Sequence, residues 1–448
     1  MFKRKIYFLA VACIVIVFIL NGPANSRPQS AKDDLYNQIE IFSDAISSIQ
    51  NDYVDSVAPK DIIYGALKGM LSALDPYSQF MDSDTFKELQ VETEGHFGGL
   101  GIEITLKDKL LTIISPLDGT PAQKAGLKPQ DRILKINEKI TRDITLTEAV
   151  KLMRGEPGTK VTLTIMRENE DGLKDYIVTR DIINIKSVKK AAILTDNIGY
   201  IKLTDFSETT KSNLDEALKK LGKEGMDSLI LDLRNNPGGL LVSSVETASE
   251  FLSTGALVVS TRGREKSQNT EYRATGKSNF REIPLIILVN EGSASASEIV
   301  AGAIQDHKRG IILGTKSFGK GSVQTVIPLR DGSALRLTTA RYYTPSGRTI
   351  NEKGIIPDVE VKFEPPKETQ EAKKEEDNVF DKIKEEKKPE EPANTDNNNN
   401  EENTVPGDNA PAPEKKEELY NSDNQLRAAV NLMRGLKIYR EYQLQAQK

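Results

Sequence analysis

At 448 residues, with 61 Lys and Arg against 66 Asp and Glu, the chain carries a formal charge of −5 and has length for two or three domains. No dense basic patch marks a nucleic-acid surface. The two histidines, His96 and His307, and the lone cysteine, Cys13, restrict histidine-based and thiol chemistry to three positions and exclude intramolecular disulfides.

Lys3-Arg-Lys5 precedes an apolar run from Ile6 to Leu20. This has the layout of a signal peptide or signal-anchor over residues 1–26. Gly22-Pro-Ala-Asn-Ser26 is a poor cleavage site, so both fates stay open. In either, the basic end stays cytoplasmic, which places the rest outside the cytoplasm: in a bacterial periplasm, or on the inner membrane facing it if the leader is kept. Cys13 lies in this apolar run, where a cysteine peptidase nucleophile has no place.

Residues 33–94 read as an N-terminal helical region that begins the main body of the chain. Ile39, Phe42, Ile46 and Ile49 form a helical stripe. Self-association, as a homo-oligomer through the terminal helices, and intramolecular packing both fit it. Asp75-Pro-Tyr-Ser-Gln-Phe-Met-Asp82 follows.

Residues 95–168 form a second module. Phe97-Gly-Gly-Leu-Gly-Ile102 leads into alternating strands, then Gly119-Thr-Pro-Ala-Gln-Lys-Ala-Gly-Leu127, Asp131-Arg-Ile-Leu-Lys-Ile-Asn137, a helix from Leu146 to Arg154, and Val161-Thr-Leu-Thr-Ile165. This series resembles a PDZ domain. The resemblance implies that Gly98, Gly99, Leu100, Gly101 and Ile102 capture a peptide carboxylate. The strand after them would accept the peptide by β-augmentation, with a preference for apolar C-termini. His96 flanks this loop without a second metal-ligating residue and reads as a surface or packing residue. His307 reads as a helix C-terminal residue. Arg154 ends the groove helix; it is either solvated or pairs with a carboxylate of the core outside this module, coupling the two.

Ser228-Leu-Ile-Leu-Asp-Leu233 is a buried strand, and Asn235-Asn-Pro-Gly-Gly239 a turn whose glycines let a backbone approach closely. A helix follows from Leu240 to Leu252. A second buried strand, Pro284 to Asn290, runs through a small-residue turn into a helix from Glu298 to Asp306. Ser295 therefore stands at a helix N-terminus, where unpaired N–H groups favour a developing oxyanion. Ser295-x-x-Glu298 is also a capping box. Phe318-Gly-Lys-Gly-Ser-Val-Gln324 places Lys320 between glycines with apolar company. A buried lysine loses hydration and becomes a base, whereas a solvated one in a Gly-rich turn does not. Ser317-x-x-Lys320 mimics a penicillin-binding motif without its companions.

Together, Asp75–Asp82, Leu231-Asp-Leu-Arg-Asn-Asn-Pro-Gly-Gly-Leu240, Ser293-Ala-Ser-Ala-Ser-Glu298 and Phe318–Gln324 resemble the motifs of the carboxyl-terminal processing peptidases, or tail-specific proteases. The resemblance spans about residues 33–358. It implies an α/β fold: a crotonase-like spiral peptidase core with an inserted PDZ domain and terminal helices. It makes Ser295 the nucleophile, Lys320 the general base and Gln324 the residue that positions the lysine. The amides of Gly239, or alternatively Gly238, and of Ala296 would form the oxyanion hole. No metal or cofactor is called for. The expected activity is an extracytoplasmic serine endopeptidase acting on proteins with exposed C-termini. The alternative is a catalytically silent PDZ adaptor that presents chain ends to a partner protease.

The peptidase core is expected over residues 169–363. Residues 364–418 hold 18 acidic residues and nine lysines with repeated Pro and Asn, a composition that cannot bury enough surface to fold. Residues 419–448 end the chain in an amphipathic helix that opens at Asp423.

Overall fold

The computed structural model describes residues 31–446, apart from Asp108, Asp143, Asn169, Asp171 and residues 365–421. The expected leader and nearly all of the acidic segment lie outside the described residues. The chain divides into two units, Met1–Phe80 and Met81–Lys448.

In the first unit, α1 (Ala31–Asp52) and α2 (Pro59–Ser72) are the two expected helices. Pro59 starts α2 where its missing N–H costs nothing. Ile39, Phe42 and Ile49 of the α1 stripe are exposed. Asp75 folds the chain after α2: its Oδ1 accepts from the amides of Tyr77 (2.8 Å) and Ser78 (2.9 Å). The Tyr64 ring packs on Phe80 with centroids 4.6 Å apart. Strand β1 (Gln79–Met81) follows.

The second unit opens with α3 (Ser83–Glu94), capped by Asp82, whose side chain accepts from Thr85 N at 2.9 Å. Then come β2 (His96–Gly99), β3 (Ile102–Lys107), β4 (Leu110–Pro116), α4 (Pro121–Lys124), β5 (Arg132–Ile136), β6 (Lys139–Ile140), α5 (Leu146–Met153), β7 (Lys160–Met166), β8 (Leu173–Thr179) and β9 (Asp181–Asn184). The antiparallel sheet β3-β4-β5-β7-β8 buries Leu111, Ile113, Ile133, Leu163 and Ile165 against Ala149 and Met153 of α5. Alternation in Val161-Thr-Leu-Thr-Ile165 puts its apolar side chains on this one face.

The next elements are β10 (Val188–Ile193), β11 (Ile198–Leu203), α6 (Thr210–Lys223), β12 (Ser228–Asp232), α7 (Leu241–Ser249), β13 (Leu257–Gly263), β14 (Thr270–Arg273), β15 (Leu285–Val289), α8 (Ala296–Asp306), β16 (Ile311–Gly314), β17 (Ser322–Pro328), β18 (Ala334–Tyr343), β19 (Val359–Glu360) and α9 (Asn424–Ala446). The main sheet runs β10-β11-β12-β15-β16-β19, parallel from β11 onward. Its central strands are largely apolar, Leu229-Ile-Leu231 in β12 and all of β15, because both faces are covered. Leu229, Leu231, Ile287 and Val289 meet residues of α6, α7 and α8, while Ile230, Ile286, Leu288 and Leu313 meet Leu426, Ala429, Val430 and Met433 of α9. Strands β13, β14, β17 and β18 form a second, antiparallel sheet. Helix α7 stops at Ser249, short of the expected Leu252, and α9, the expected last helix, runs from Asn424 to Ala446.

Candidate active site

Parallel strands deliver their loops to one edge of a sheet. Here the loops after β12, β15 and β16 meet there. Ser295 ends the β15 loop at the N-terminus of α8, with φ 52° and ψ −109°, a costly backbone conformation for a serine. It is 8% exposed. Its amide donates to Glu298 Oε2 at 2.8 Å, which is the Glu half of the expected capping box.

Glu298 does more than cap. Its side chain is fully buried, and it also accepts from Lys320 N (2.9 Å), Gly319 N (2.7 Å) and Ser317 Oγ (2.6 Å). One carboxylate therefore holds the backbone of the serine and the backbone of the lysine at once. Burial pushes its pKa above the usual carboxylate range against the pull of these four donors. Ser317 is consumed by this arrangement: it is buried, donates to Glu298, and accepts from Ile355 N at 2.6 Å. That leaves Ser317 no resemblance to an exposed penicillin-reactive serine.

Lys320 is half-buried, and its pKa is lowered, first by burial and then by the charge of Arg336. Gln324 lies on β17. Its Nε2 donates to Thr338 Oγ1 (2.8 Å) and Ser322 Oγ (3.1 Å), and its Oε1 is buried without a hydrogen-bond partner among the described residues. In this structure Gln324 thus holds no hydrogen bond to Lys320 through that oxygen.

The β12 loop is welded to the β15 loop. Asn236 is buried; its Oδ1 accepts from Gly238 N (2.9 Å), and its carbonyl accepts from Ala294 N (3.0 Å) and Ser297 Oγ (2.9 Å). Ser293 Oγ donates to Leu233 O at 2.8 Å, and Asn290 Nδ2 to Asn235 Oδ1 at 2.8 Å. A Cβ on Gly238, whose φ is +102°, would lie 2.9 Å from both Ala296 N and the Ser295 Cβ, so glycine is what lets the two loops touch. Phe206 bonds through N to Gly238 O and through O to Leu240 N. These two bonds form an isolated parallel bridge between Phe206 and Gly239, in which the N–H of Gly239 takes no part.

In the segment expected to bind the peptide, Gly98 and Gly99 lie on β2, Leu100 is buried, and Gly101 has φ +74°. A Cβ on Gly101 would stand 2.4 Å from Thr120. Ile102 begins β3. Arg154 makes no carboxylate pair among the described residues. Its guanidinium lies 4.6 Å from the Phe97 ring centroid, with Nε buried and unbonded. The aromatic face beside the glycine loop captures it first. His96 contacts Glu94 O at 3.2 Å, and His307 caps α8 with Nε2 2.7 Å from Leu257 O.

Sequence reasoning missed the reach of Glu298 into the 317–320 loop and the part played by Asn236. The signal available was local only: Glu298 matched a capping box, and nothing near it pointed 20 residues downstream.

An α/β sheet whose loops gather a serine, a lysine and close-packed glycine backbone, beside a PDZ module, has the layout of a serine peptidase. Residues 197–361 match Peptidase family S41, residues 88–166 match the PDZ domain family, and residues 21–85 match the activating protease CtpB N-terminal domain. A carboxy-terminal-processing protease of Bartonella bacilliformis is 44% identical over 365 residues, covering 81% of this chain and 83% of that protein. The carboxy-terminal processing protease CtpA of Bacillus subtilis is 34% identical over 366 residues, covering 81% and 78%. A solved photosystem II D1 C-terminal processing protease shares 30% identity, with a TM-score of 0.42, over 72% of this chain and 92% of that one. The chain belongs to the carboxy-terminal processing proteases of peptidase family S41, and it is a serine-type peptidase carrying a PDZ domain.

Proposed function

We propose that the chain is an extracytoplasmic endopeptidase with a Ser295–Lys320 dyad, which engages the free C-terminus of a protein substrate through its PDZ domain. The observation that carries this reading is the Glu298 carboxylate, which binds the amides of Ser295 and Lys320 together. A carboxylate spent on aligning two backbones makes sense where the two side chains must act on one another.

The neutral amine of Lys320 takes the proton of Ser295 as Oγ attacks the peptide carbonyl carbon. Burial, which lowers the lysine pKa, raises the share of amine available at a given pH. The N–H groups of Gly239 and Ala296 receive the oxyanion. The commitment of Gly238 N to Asn236 favours Gly239 over its neighbour. The ammonium of Lys320 then protonates the leaving amine, and Lys320 deprotonates the water that releases the acyl-enzyme. Gln324 Oε1, buried and unpartnered, would receive the lysine when the site is working.

The amides around Leu100 and Gly101 would take the substrate carboxylate, with the tail added along β3. Lys3-Arg-Lys5 and the apolar run after it support a location outside the cytoplasm. The exposed Ile39, Phe42 and Ile49 face would serve self-association.

The test uses a disordered protein ending in an apolar residue, with its C-terminus free or amidated. Wild type should cleave the free form faster, and Ser295→Ala should cleave neither. Cleavage by Ser295→Ala would remove the nucleophile from Ser295. Equal rates on both substrates would deny the PDZ module its role in tail capture.

A further inference from the structure

Beneath the oxyanion loop lies a buried ionic cluster whose last member comes from the other end of the chain. Arg234, 8% exposed, has all five N–H donors engaged. Its Nε donates to Asp232 Oδ1 (3.0 Å), and its Nη2 to Asp232 Oδ2 (2.7 Å) and Asp423 Oδ2 (2.7 Å). Its Nη1 donates to Asp423 Oδ1 (3.0 Å) and Gln425 Oε1 (2.9 Å). Asp232, almost wholly buried, also takes Lys202 Nζ (3.1 Å) and the Tyr200 hydroxyl (2.8 Å).

The charges balance only when Asp423 is counted. Lys202 and Arg234 bring two positive charges, and Asp232 supplies one negative charge. A buried guanidinium left short of a counter-charge is strongly unfavourable, so the cluster depends on the residue just before α9. That residue is firmly placed. Asp423 Oδ1 caps α9 by accepting from Leu426 N at 3.0 Å. Asn424 Nδ2 and Gln425 Nε2 donate to the carbonyls of Lys362 and Val361, both at 2.7 Å. Leu426, Ala429, Val430 and Met433 close the sheet face.

Arg234 adjoins Asn235 and is two residues from Asn236, which bonds Gly238, Ala294 and Ser297. We propose that Asp423 and Gln425 are positioning residues for the oxyanion loop: through Arg234 they set where Asn235–Gly239 lies against Ala294–Ser297. Helix α9 is then a working part of the active site, although 58 residues, from Glu364 to Asn421, separate Phe363 from Ser422 in sequence. This inference rests on the proposed roles of Ser295 and Gly239.

The test is kinetic, in the full chain, with the free-tailed disordered substrate. Asp423→Asn keeps the volume and removes the charge. Arg434→Gln is the control: it cuts another anchor of α9, the bond from Arg434 Nε to Asp196 Oδ2 (2.6 Å), without touching Arg234. Asp423→Asn should lower kcat about 10- to 100-fold with KM and tail-peptide affinity unchanged, and slow labelling of Ser295 by a fluorophosphonate in parallel. Asp423→Glu should recover part of the loss, and Arg434→Gln should keep wild-type kcat. If Asp423→Asn does not fold, Gln425→Leu removes one acceptor and no charge, and should lower kcat a few-fold. Wild-type kcat in Asp423→Asn, or in Gln425→Leu where that variant stands in, overturns the inference. So does an equal fall in Arg434→Gln, which would make the effect one of helix docking. Ser295→Ala in the same assay separates the two readings: if it is active, the nucleophile is wrong; if it is dead while Asp423→Asn is normal, only the role of Asp423 is lost.

Discussion

The loop that carries Ser295 and the segment that carries Lys320 and Gln324 are built on opposite plans. From Asn290 to Glu298, side chains reach into the neighbouring loops: Asn290 to Asn235, Ser293 to Leu233, Ser297 to Asn236, Glu298 to residues 317–320. Over Lys320–Gln324, Gln324 keeps a buried oxygen that has no hydrogen-bond partner among the described residues, and Lys320 carries an amine whose charge burial disfavours. Dipoles fixed in advance need no reorganisation when charge develops. The Ser295 side holds that fixed part. The Lys320 side holds what can still change, in protonation and in hydrogen bonding.

The largest test of this contrast is Lys320→Met, which keeps an unbranched stem and removes the amine. Hydrolysis should fall about 10²- to 10⁴-fold, the scale of general-base catalysis. Stability should move the other way. A lysine whose folded pKa lies below 10.5 penalises the fold while it is charged, and the penalty fades as pH rises from the folded pKa toward 10.5. Lys320→Met should therefore melt no lower than wild type at neutral pH, and any gain should shrink toward pH 10.5. Thermal melts at several pH values, set beside the rates, check both halves. Retained hydrolysis would place the base elsewhere.

Glu298→Gln attacks the fixed side. Oε1 and Oε2 each accept two of the four bonds. Whichever way the amide turns, its NH₂ group faces at least one N–H donor that cannot turn, Gly319 N beside the rotatable Ser317 hydroxyl in one orientation or Ser295 N and Lys320 N in the other. Leaving buried donors unsatisfied should cost about 3 kcal/mol of stability. The loops should also lose register, with kcat down about 100-fold and KM little changed. Chemical denaturation and steady-state kinetics measure the two effects. A normal kcat in a destabilised protein would reduce Glu298 to a packing role.

How much of this was legible in the sequence follows from the range of each interaction. Ser295 at a strand-to-helix turn, Lys320 between glycines and the Asn235–Gly239 turn are local patterns, and each falls on its expected element. The chemistry that joins them is not local. Glu298 reaches 22 residues to Lys320 N, and Asp423 reaches 189 residues to Arg234. Nothing in a helix-capping glutamate or an aspartate before a helix announces such a partner, because the partner is chosen by how the sheet brings loops together. Arg154 shows the same limit: a carboxylate is a reasonable partner for its charge, yet the Phe97 ring beside it takes the place.

The finest test of the contrast lies at Gln324. If its Oε1 receives Lys320 in the working site, Gln324→Glu places a carboxylate against the amine. Ser322 and Thr338, which now accept from Nε2, can turn their hydroxyls to donate instead, so the β17–β18 hairpin should stand. A nearby negative charge favours the ammonium and raises the lysine pKa. In wild type the rate should climb with pH through an apparent pKa below 10.5, because the amine is the active form. In Gln324→Glu that rise should move to higher pH. Raising the lysine pKa by one leaves about tenfold less neutral amine at any pH below the rise, so the rate near neutrality should fall by about that factor while the alkaline plateau is kept. A pH–rate profile superimposable on wild type would mean that Gln324 never reaches the lysine, and that its unpartnered oxygen marks a packing defect rather than a waiting acceptor.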